Sequence, residues 1–378
     1  MEECLASEEG SFTLQYREFG NTGIKLSALG FGAMRLPQDE DMAVRVIQRA
    51  FELGVNYLDT AYVYGESEKI CGRALKGWRD RIYLSTKNPL RDATVEGWWS
   101  RLNESMEKLD VDCIDFYQVV HGLRWDSYES YLLNGGGMEA IRKAQEQGMI
   151  KHVCFSTHDT PANLIKLIDT GEFEGMTLQY NLLDRVNEEV MAHAHASGMG
   201  VIVMGPVGGG RLGAPSEQIR KMIPGDVKSS AEVALRFVLS NPNVTSAISG
   251  MGSLEMVEEN VAVANREEPL SAEEQKAVAD ALNEVKRLAE LYCTGCNYCM
   301  PCPNEVNIPE NFRLMNTHKL YGLTEHARGG YNSLSDPEKP KRGKKAEECV
   351  ECGLCEPKCP QNIPIMAQLK EVKETFKG

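Results

Sequence analysis

The chain has 378 residues, of which 42% are hydrophobic and 25% charged, the balance of an ordinary globular protein rather than a disordered or fibrous one. Its 41 Lys and Arg against 55 Asp and Glu leave a net charge of −14, which argues against a broad nucleic-acid surface and against binding to an anionic membrane. No apolar run approaches the ~18 residues of a membrane span, and the acidic start MEECLASEEG lacks the basic and apolar regions of a secretory signal.

A chain of this length exceeds what one core usually serves, so two domains are expected. Residues 1–13 read as a frayed tail. Residues 14–31 hold two short strands around the turn Gly20–Gly23, a hairpin suited to cap the bottom of a larger body. From there apolar strands alternate with amphipathic helical stretches. Strands are expected near 28–33, 55–59, 82–86, 114–120, 151–156, 176–180, 200–204 and 244–249. Between them, helices are expected over Asp41–Leu53, Ser67–Lys76, Thr94–Leu109, Met138–Gln147, Pro161–Thr170, Asn187–Ser197, Ser230–Ser240 and Leu254–Ala264. Eight strand–helix units over ~240 residues predict a (β/α)8 TIM barrel, an α/β fold. The alternative, an open sheet binding a dinucleotide at G-x-G-x-x-G, finds only GFGAMRLP after its first strand, without the third glycine.

In a barrel the chemistry sits at the C-terminal strand ends. Asp59 ends one apolar strand, Tyr64 follows it in the loop of LDTAYVYG, Lys87 closes YLSTK, and His121 closes DFYQVVH. Singly, each has a plain structural reading: a capping acid, a packed phenol, a surface ion pair, a core histidine. On three successive strand ends of one barrel they make a proton-transfer site. Reduction of a carbonyl by hydride needs a proton donor at the oxygen, and a phenol of pKa about 10 is a weak acid at neutral pH. A cation within about 4–6 Å lowers that pKa by roughly one to three. Lys87 is the candidate cation, Asp59 its anchor, and a neutral His121 the group that orients the carbonyl.

The twelve cysteines are unevenly placed. Cys4, Cys71, Cys113 and Cys154 are scattered among apolar residues and read as small buried side chains with unreactive thiols. The other eight follow a helical segment whose start carries the capping box Ser271 and Glu274. They form two runs, Cys293-x2-Cys296-x2-Cys299-x2-Cys302-Pro and Cys349-x2-Cys352-x2-Cys355-x3-Cys359-Pro. A helical stretch near Pro309–Leu320 and a basic loop, SDPEKPKRGKK, lie between the runs. Clustered thiols in a chain without a secretory signal point to a reducing cytoplasm and to metal ligation rather than disulfides. The second run has the spacing that wraps three corners of a cubane and sends its fourth thiolate to a neighbouring cluster. Structural zinc, the alternative, also uses Cys-x2-Cys pairs but takes four ligands per site. Two [4Fe–4S] clusters are therefore expected, one on Cys293, Cys296, Cys299 and Cys359 and the other on Cys349, Cys352, Cys355 and Cys302.

Residues ~14–265 resemble the aldo-keto reductases, NAD(P)H-dependent (β/α)8 carbonyl reductases. The motifs that carry the resemblance are LGFGAMRLP, LDTAYVYG, STKN, DFYQVVHG, VCFSTHD, QYNLLDR and ISGMGSLEMVEEN. The family's Asp-Tyr-Lys-His tetrad falls on Asp59, Tyr64, Lys87 and His121, in order. The resemblance implies NADPH or NADH as cofactor, held by Gly32, Ala33, Met34, Asp59, Ser156, Thr177, Gln179, Met204, Gly205, Ser253, Glu259 and Asn260. At and beside these positions the chain departs from the family pattern in several places. Thr157 stands where an Asn is common, Thr177 where a Gln is common with Gln179 two residues on, and Met204 where a Tyr usually stacks on the nicotinamide. Gly250 and Met256 stand where NADPH-specific members often carry Lys and Arg, so the choice between the two coenzymes stays open.

The cysteine segment resembles a two-cluster bacterial-type ferredoxin domain with a helical insert. End to end, the chain is similar to aldo-keto reductases with an appended iron–sulfur domain. The implied division is a barrel over 14–268 and a mainly helical, ferredoxin-like domain over 269–378. The implied activity is interconversion of a small carbonyl compound, aldehyde or ketone, with its alcohol, the clusters being electron carriers or structural. Two other readings stand beside it. One is an electron-transfer protein coupling the barrel's substrate to an external redox partner; because a hydride carries two electrons and a cluster takes one, an intermediary is then needed, and no flavin fingerprint is present. The other is a cofactor-sensing barrel without catalysis.

Overall fold

The computed structural model describes residues 14–377 apart from 209–211, 213–214, 225–226, 267–269, 291–292, 294–296, 298, 339–341 and 360–362, and leaves out the side chains of 285–290. The expected N-terminal tail, Cys4 and Cys296 lie outside the described residues. The chain divides into two compact units, residues 1–208 with 234–269, and residues 209–233 with 270–378.

The first unit opens with an antiparallel hairpin, β1 (Tyr16–Glu18) and β2 (Lys25–Ser27). Eight parallel strands then close a barrel: β3 (Leu29–Gly32), β4 (Tyr57–Asp59), β5 (Tyr83–Pro89), β6 (Ile114–His121), β7 (Ile150–Thr157), β8 (Gly175–Gln179), β9 (Gly200–Met204) and β10 (Ser246–Ser249). Closure is made by β10, which pairs with β3 on one side and β9 on the other. The intervening helices are α1 (Glu40–Glu52), α2 (Ser67–Leu75), α3 (Val95–Leu109), α4 (Gly137–Glu146), α5 (Pro161–Asp169), α6 (Glu188–Ala196), α7 (Ser230–Leu239) and α8 (Leu254–Ala264). The alternation read from the sequence therefore gives the right elements in the right order. Two departures stand out: β5 runs past Lys87 to Pro89, and helical turns occupy Trp125–Ser127 and Tyr128–Leu133, where no element is expected.

Local chemistry starts and stops these helices. Asp39 accepts from the Met42 amide at 2.8 Å ahead of α1, and Thr94 accepts from the Gly97 amide at 3.1 Å ahead of α3. Asp110 ends α3 in the left-handed region at φ 55°. The apolar face of each helix then packs on the outside of the barrel. Trp98 of α3 is buried there and its indole donates to the Val119 carbonyl at 2.9 Å, so this tryptophan is packing.

The hairpin closes the lower end of the barrel. Phe19, in its turn, enters among Tyr57, Phe116, Cys154, Ile202 and Ile248 and meets Phe116 edge-on at 4.6 Å. Glycine at the starts of β8 and β9 makes this possible: a Cβ on Gly175 would lie 2.1 Å from the Phe19 ring and one on Gly200 2.4 Å from it. The thiols of Cys71 and Cys154 are fully buried and pushed up by desolvation, Cys71 to about 12, so both are inert, as expected. Above these aromatics, polar side chains gather toward the C-terminal strand ends, where Asp59, Lys87, Gln118, Ser156 and Thr177 are all buried.

The second unit contains α9 (Ala272–Glu290), α10 (Ile308–Tyr321), α11 (Thr324–Asn332) and α12 (Ile365–Phe376). The capping box expected at α9 is present: the Ser271 amide donates to Glu274 Oε2 at 2.8 Å and the Glu274 amide to Ser271 Oγ at 3.1 Å. Val306, Phe312, Met315, Tyr331, Leu369 and Phe376 lead a small apolar core, against which six of the cysteines pack. The end of the basic loop is tied down: Lys344 pairs with Glu305 at 2.7 Å and Arg342 donates to Ser333 Oγ at 2.5 Å. Among the described residues no helix is long and apolar enough to cross a membrane.

Candidate active site

Asp59 and Lys87 are both buried, and the Lys87 ammonium donates to Asp59 Oδ1 at 2.5 Å and to the Thr60 carbonyl at 2.7 Å. The pairing follows from register, since β4 and β5 run parallel with Asp59 beside Ser85, two residues before Lys87 on the same face. Two further residues complete the carboxylate's shell. Ser85 Oγ donates to Asp59 Oδ2 at 3.1 Å and Gln118 Nε2 to the same oxygen at 3.0 Å. Sequence reading passed over both. The signal was available: Ser85 stands two residues before Lys87, on the same face of its strand, and Gln118 is a polar residue between the apolar pairs Phe116-Tyr117 and Val119-Val120. Burial raises the Asp59 pKa, against the pull of Lys87, Ser85 and Gln118.

Tyr64 is carried on a loop stitched to β5. The Thr60 amide donates to the Ser85 carbonyl at 2.9 Å and the Tyr62 amide to the Lys87 carbonyl at 3.2 Å. A turn follows, closed by Tyr64 N to the Ala61 carbonyl at 3.0 Å, with Gly65 at φ 61°. Ser67 then fixes the start of α2 by donating to the Ala33 carbonyl at 2.7 Å. This loop sets the Tyr64 ring 5.1 Å from the Lys87 nitrogen. The expectation that Lys87 would bring the phenol below its ordinary pKa is not met. Burial raises it by more than the charge and hydrogen bonding of Lys87 lower it, so the phenol stays protonated throughout the neutral range.

His121 ends β6 and stands edge-on to Tyr64, ring centroids 6.0 Å apart. Its pKa is lowered to about 4, first by burial and then by the charges of Lys87 and His158, so the imidazole is neutral at pH 7. A buried ion pair, a protonated phenol and a neutral imidazole thus lie side by side.

The positions expected to hold the cofactor are spread over the same C-terminal face. Gly32 ends β3; Ala33 is buried and its carbonyl is taken by Ser67, while Met34 is 61% exposed. Ser156 Oγ accepts from the Gly122 amide at 3.2 Å and Thr157 Oγ1 donates to the Leu123 carbonyl at 2.8 Å. Both hydroxyls therefore brace the backbone that follows His121. Thr177 and Gln179 lie on one face of β8, and Met204 pairs with Gln179 in register. Gly205, at φ 64°, is pressed against the Gln179 amide, where a Cβ would come within 2.6 Å of Oε1. Ser253 caps α8 by accepting from the Met256 amide at 3.3 Å; on that helix Glu259 is exposed, and buried Asn260 donates to Ser249 Oγ at 3.2 Å. The lip in front of α8 is lined by glycine. A Cβ on Gly252 would meet nothing within 4 Å, and one on Gly250 only the Gly32 carbonyl, at 3.7 Å. A side-chain-free lip at the N-terminus of an eleven-residue helix fits the phosphates of a dinucleotide.

In the second unit, Cys302, Cys349, Cys352 and Cys355 line one cavity, together with Cys299, Met366 and Leu369. These are the four thiols that the spacing assigns to one cluster. They ring a space rather than gather on a point; among the described residues no group of three or more His, Cys, Asp or Glu is set to hold a single metal ion. That donor set fits a cubane, whose irons sit at separate corners. Cys293 opens instead onto a polar groove beside Asn297, Asn307 and Arg313. Cys359 packs against the core of this unit, and Cys296 lies outside the described residues.

Comparison with known proteins agrees with the fold. The model of the Aldo/keto reductase family matches residues 28–283, and that of a 4Fe-4S dicluster domain matches residues 292–363. An uncharacterized oxidoreductase of Bacillus subtilis, YqkF, is 29% identical over 70% of this chain and 95% of its own length. L-galactose dehydrogenase of Arabidopsis thaliana is 27% identical over 73% of this chain and 95% of its own. The holo form of the aldo-keto reductase AKR11C1 from Bacillus halodurans superposes with a TM-score of 0.63 at 29% identity, covering 71% of this chain and 96% of that one. With its closed eight-stranded barrel and its cysteine-rich second unit, the chain is an oxidoreductase that belongs to the aldo/keto reductase family and carries a 4Fe-4S dicluster domain at its C-terminal end.

Proposed function

We propose that the barrel, residues 14–268, interconverts an aldehyde or ketone with the corresponding alcohol, using NADH or NADPH, with Asp59, Tyr64, Lys87 and His121 as its catalytic residues. The reading rests on one observation: the Tyr64 ring lies 5.1 Å from the Lys87 ammonium and 6.0 Å from the His121 ring. Gly32, Ala33, Met34, Asp59, Ser156, Thr177, Gln179, Met204 and Gly205 hold the nicotinamide half, and Ser253, Glu259, Asn260 and the α8 N-terminus the adenosine half. The bound coenzyme supplies or accepts a hydride. His121, neutral, donates an N–H to the carbonyl oxygen and orients it. Tyr64 gives that oxygen a proton as negative charge develops on it, and Lys87 stabilises the phenolate left behind. Asp59 keeps the ammonium in place.

Replacement of Tyr64 by Phe tests this. Turnover is expected to fall by roughly 10²–10⁴-fold, with coenzyme binding retained in a fluorescence titration. Unchanged turnover would end the reading. Because burial keeps the phenol protonated, carbonyl reduction should stay level through neutral pH and fall only in the alkaline range, while alcohol oxidation rises there.

We further propose that the second unit binds two [4Fe–4S] clusters, one on Cys302, Cys349, Cys352 and Cys355 and one on Cys293, Cys296, Cys299 and Cys359. A second reading, in which the clusters exchange electrons with an external redox partner, is favoured by one feature. Cys352 is exposed and is flanked by Val350 and Leu354, which are 65% and 56% exposed. Turnover that survives removal of both clusters would assign them a structural role instead.

A further inference from the structure

We propose that Gln118 and Ser85 are positioning residues of the active site, which turn the Asp59 carboxylate so that its other oxygen holds the Lys87 ammonium. The inference rests on the tetrad reading above and extends it to two residues that touch neither substrate nor coenzyme. Asp59 Oδ1 takes Lys87 at 2.5 Å; Oδ2 takes Ser85 Oγ at 3.1 Å and Gln118 Nε2 at 3.0 Å. Gln118 Nε2 also reaches Ser85 Oγ at 3.1 Å, so the two donors brace each other. The three residues come from successive strands, β4, β5 and β6, in a register that sets Asp59 beside Ser85 and Lys87 beside Gln118.

The Gln118 carbonyl shows what this arrangement costs. Its Oε1 is buried with no hydrogen-bond partner among the described residues. An unsatisfied buried acceptor is unfavourable, and a Leu or Met would fill this apolar strand without it. Turning the amide over would set Oε1 against the Asp59 carboxylate. The orphaned acceptor is thus the counterpart of presenting the amide nitrogen to Asp59.

The other titratable groups facing Asp59 are Tyr57 from the start of β4, Tyr64 from the loop and the Cys71 thiol from α2. Burial keeps all three protonated, so Lys87 is the one cation acting on the carboxylate among the described residues. Burial already raises Asp59, and Ser85 and Gln118 oppose it. Without their donors the carboxyl binds a proton at higher pH, and Lys87 loses the anion that holds it beside Tyr64.

The test uses the full-length protein with its clusters and compares Gln118→Met, Ser85→Ala and Tyr64→Phe. Each is assayed for reduction of a simple aldehyde across pH, and each is examined by infrared spectroscopy for a protonated carboxyl. In Gln118→Met the acid limb of kcat/KM is expected to move up by about one pH unit, with kcat down ~10-fold and coenzyme affinity kept. A protonated-carboxyl band should grow in at a pH where the wild type has none, and it should vanish when Asp59→Asn is added. Ser85→Ala should shift the limb the same way by less, and it carries the test if Gln118→Met does not fold. An unmoved limb together with no new band would overturn the inference while leaving the tetrad intact, provided Tyr64→Phe is inactive. An active Tyr64→Phe would overturn both.

Discussion

The imidazole of His121 stands edge-on to the phenol of Tyr64, ring centroids 6.0 Å apart and planes at 86°. The same cause, burial, displaces their pKa values in opposite directions: that of His121 falls to about 4 and that of Tyr64 rises above its ordinary value. Both side chains are therefore uncharged donors over the whole neutral range. On the proposed reading, a carbonyl oxygen set between them meets two uncharged donors, with Lys87 as the neighbouring cation.

The first prediction concerns acid. His121 has a folded pKa of about 4, against about 6.5 when unfolded. Between those values the unfolded chain binds more protons, so stability falls as pH drops through that window. Melting temperature measured from pH 7 to pH 4 should decline less steeply in His121→Asn than in the wild type. An equal decline would mean that the imidazole is more solvated than its packing implies.

Removing one half of the buried ion pair should be worse than removing both. Lys87→Met leaves the Asp59 carboxylate buried without its cation, a change that costs about 3–5 kcal/mol. Adding Asp59→Leu should recover part of that loss in a denaturation experiment, although neither protein turns over. If the two single losses simply add, the 2.5 Å contact contributes no coupling.

Space at the opposite end of the barrel is also testable. In Gly175→Ala the new methyl would lie 2.1 Å from the Phe19 ring. The hairpin must shift, at a cost of roughly 1–3 kcal/mol, and Phe19→Leu in the same chain should restore part of it. Because the change is remote from the strand ends that carry the tetrad, kcat/KM of the folded protein should hold.

The cysteine cavity makes a prediction about iron. Cys302 lines the same space as Cys349, Cys352 and Cys355, so Cys302→Ser should lower bound iron and sulfide by roughly half, as Cys349→Ser would. Anaerobic purification followed by iron, sulfide and zinc analysis checks it. Full iron in Cys302→Ser would remove this residue from the ligand set, and zinc in place of iron would remove the clusters.

Periodicity and spacing, both local properties of the chain, carried much of this protein. The alternation of apolar runs with amphipathic stretches determined eight strands and eight helices closing a barrel, and the order Asp59, Tyr64, Lys87, His121 marked the face on which they meet. The spacing of the two cysteine runs suggested a pairing of thiols, and four of those it groups, Cys302, Cys349, Cys352 and Cys355, line one cavity, although Cys299, which it groups elsewhere, lines that cavity too. Properties that depend on depth and on neighbours across strands could not be read this way. Ser85 and Gln118 join Asp59 only because the β4–β5–β6 register aligns them. Ser156 and Thr157, expected at the coenzyme, also prove to bind the backbone after His121. The sign of the Tyr64 shift was decided by tertiary structure too. A sequence shows that a lysine is near enough to pull a phenol down, but only the packed site sets how much solvent both have lost, and there desolvation outweighs the charge.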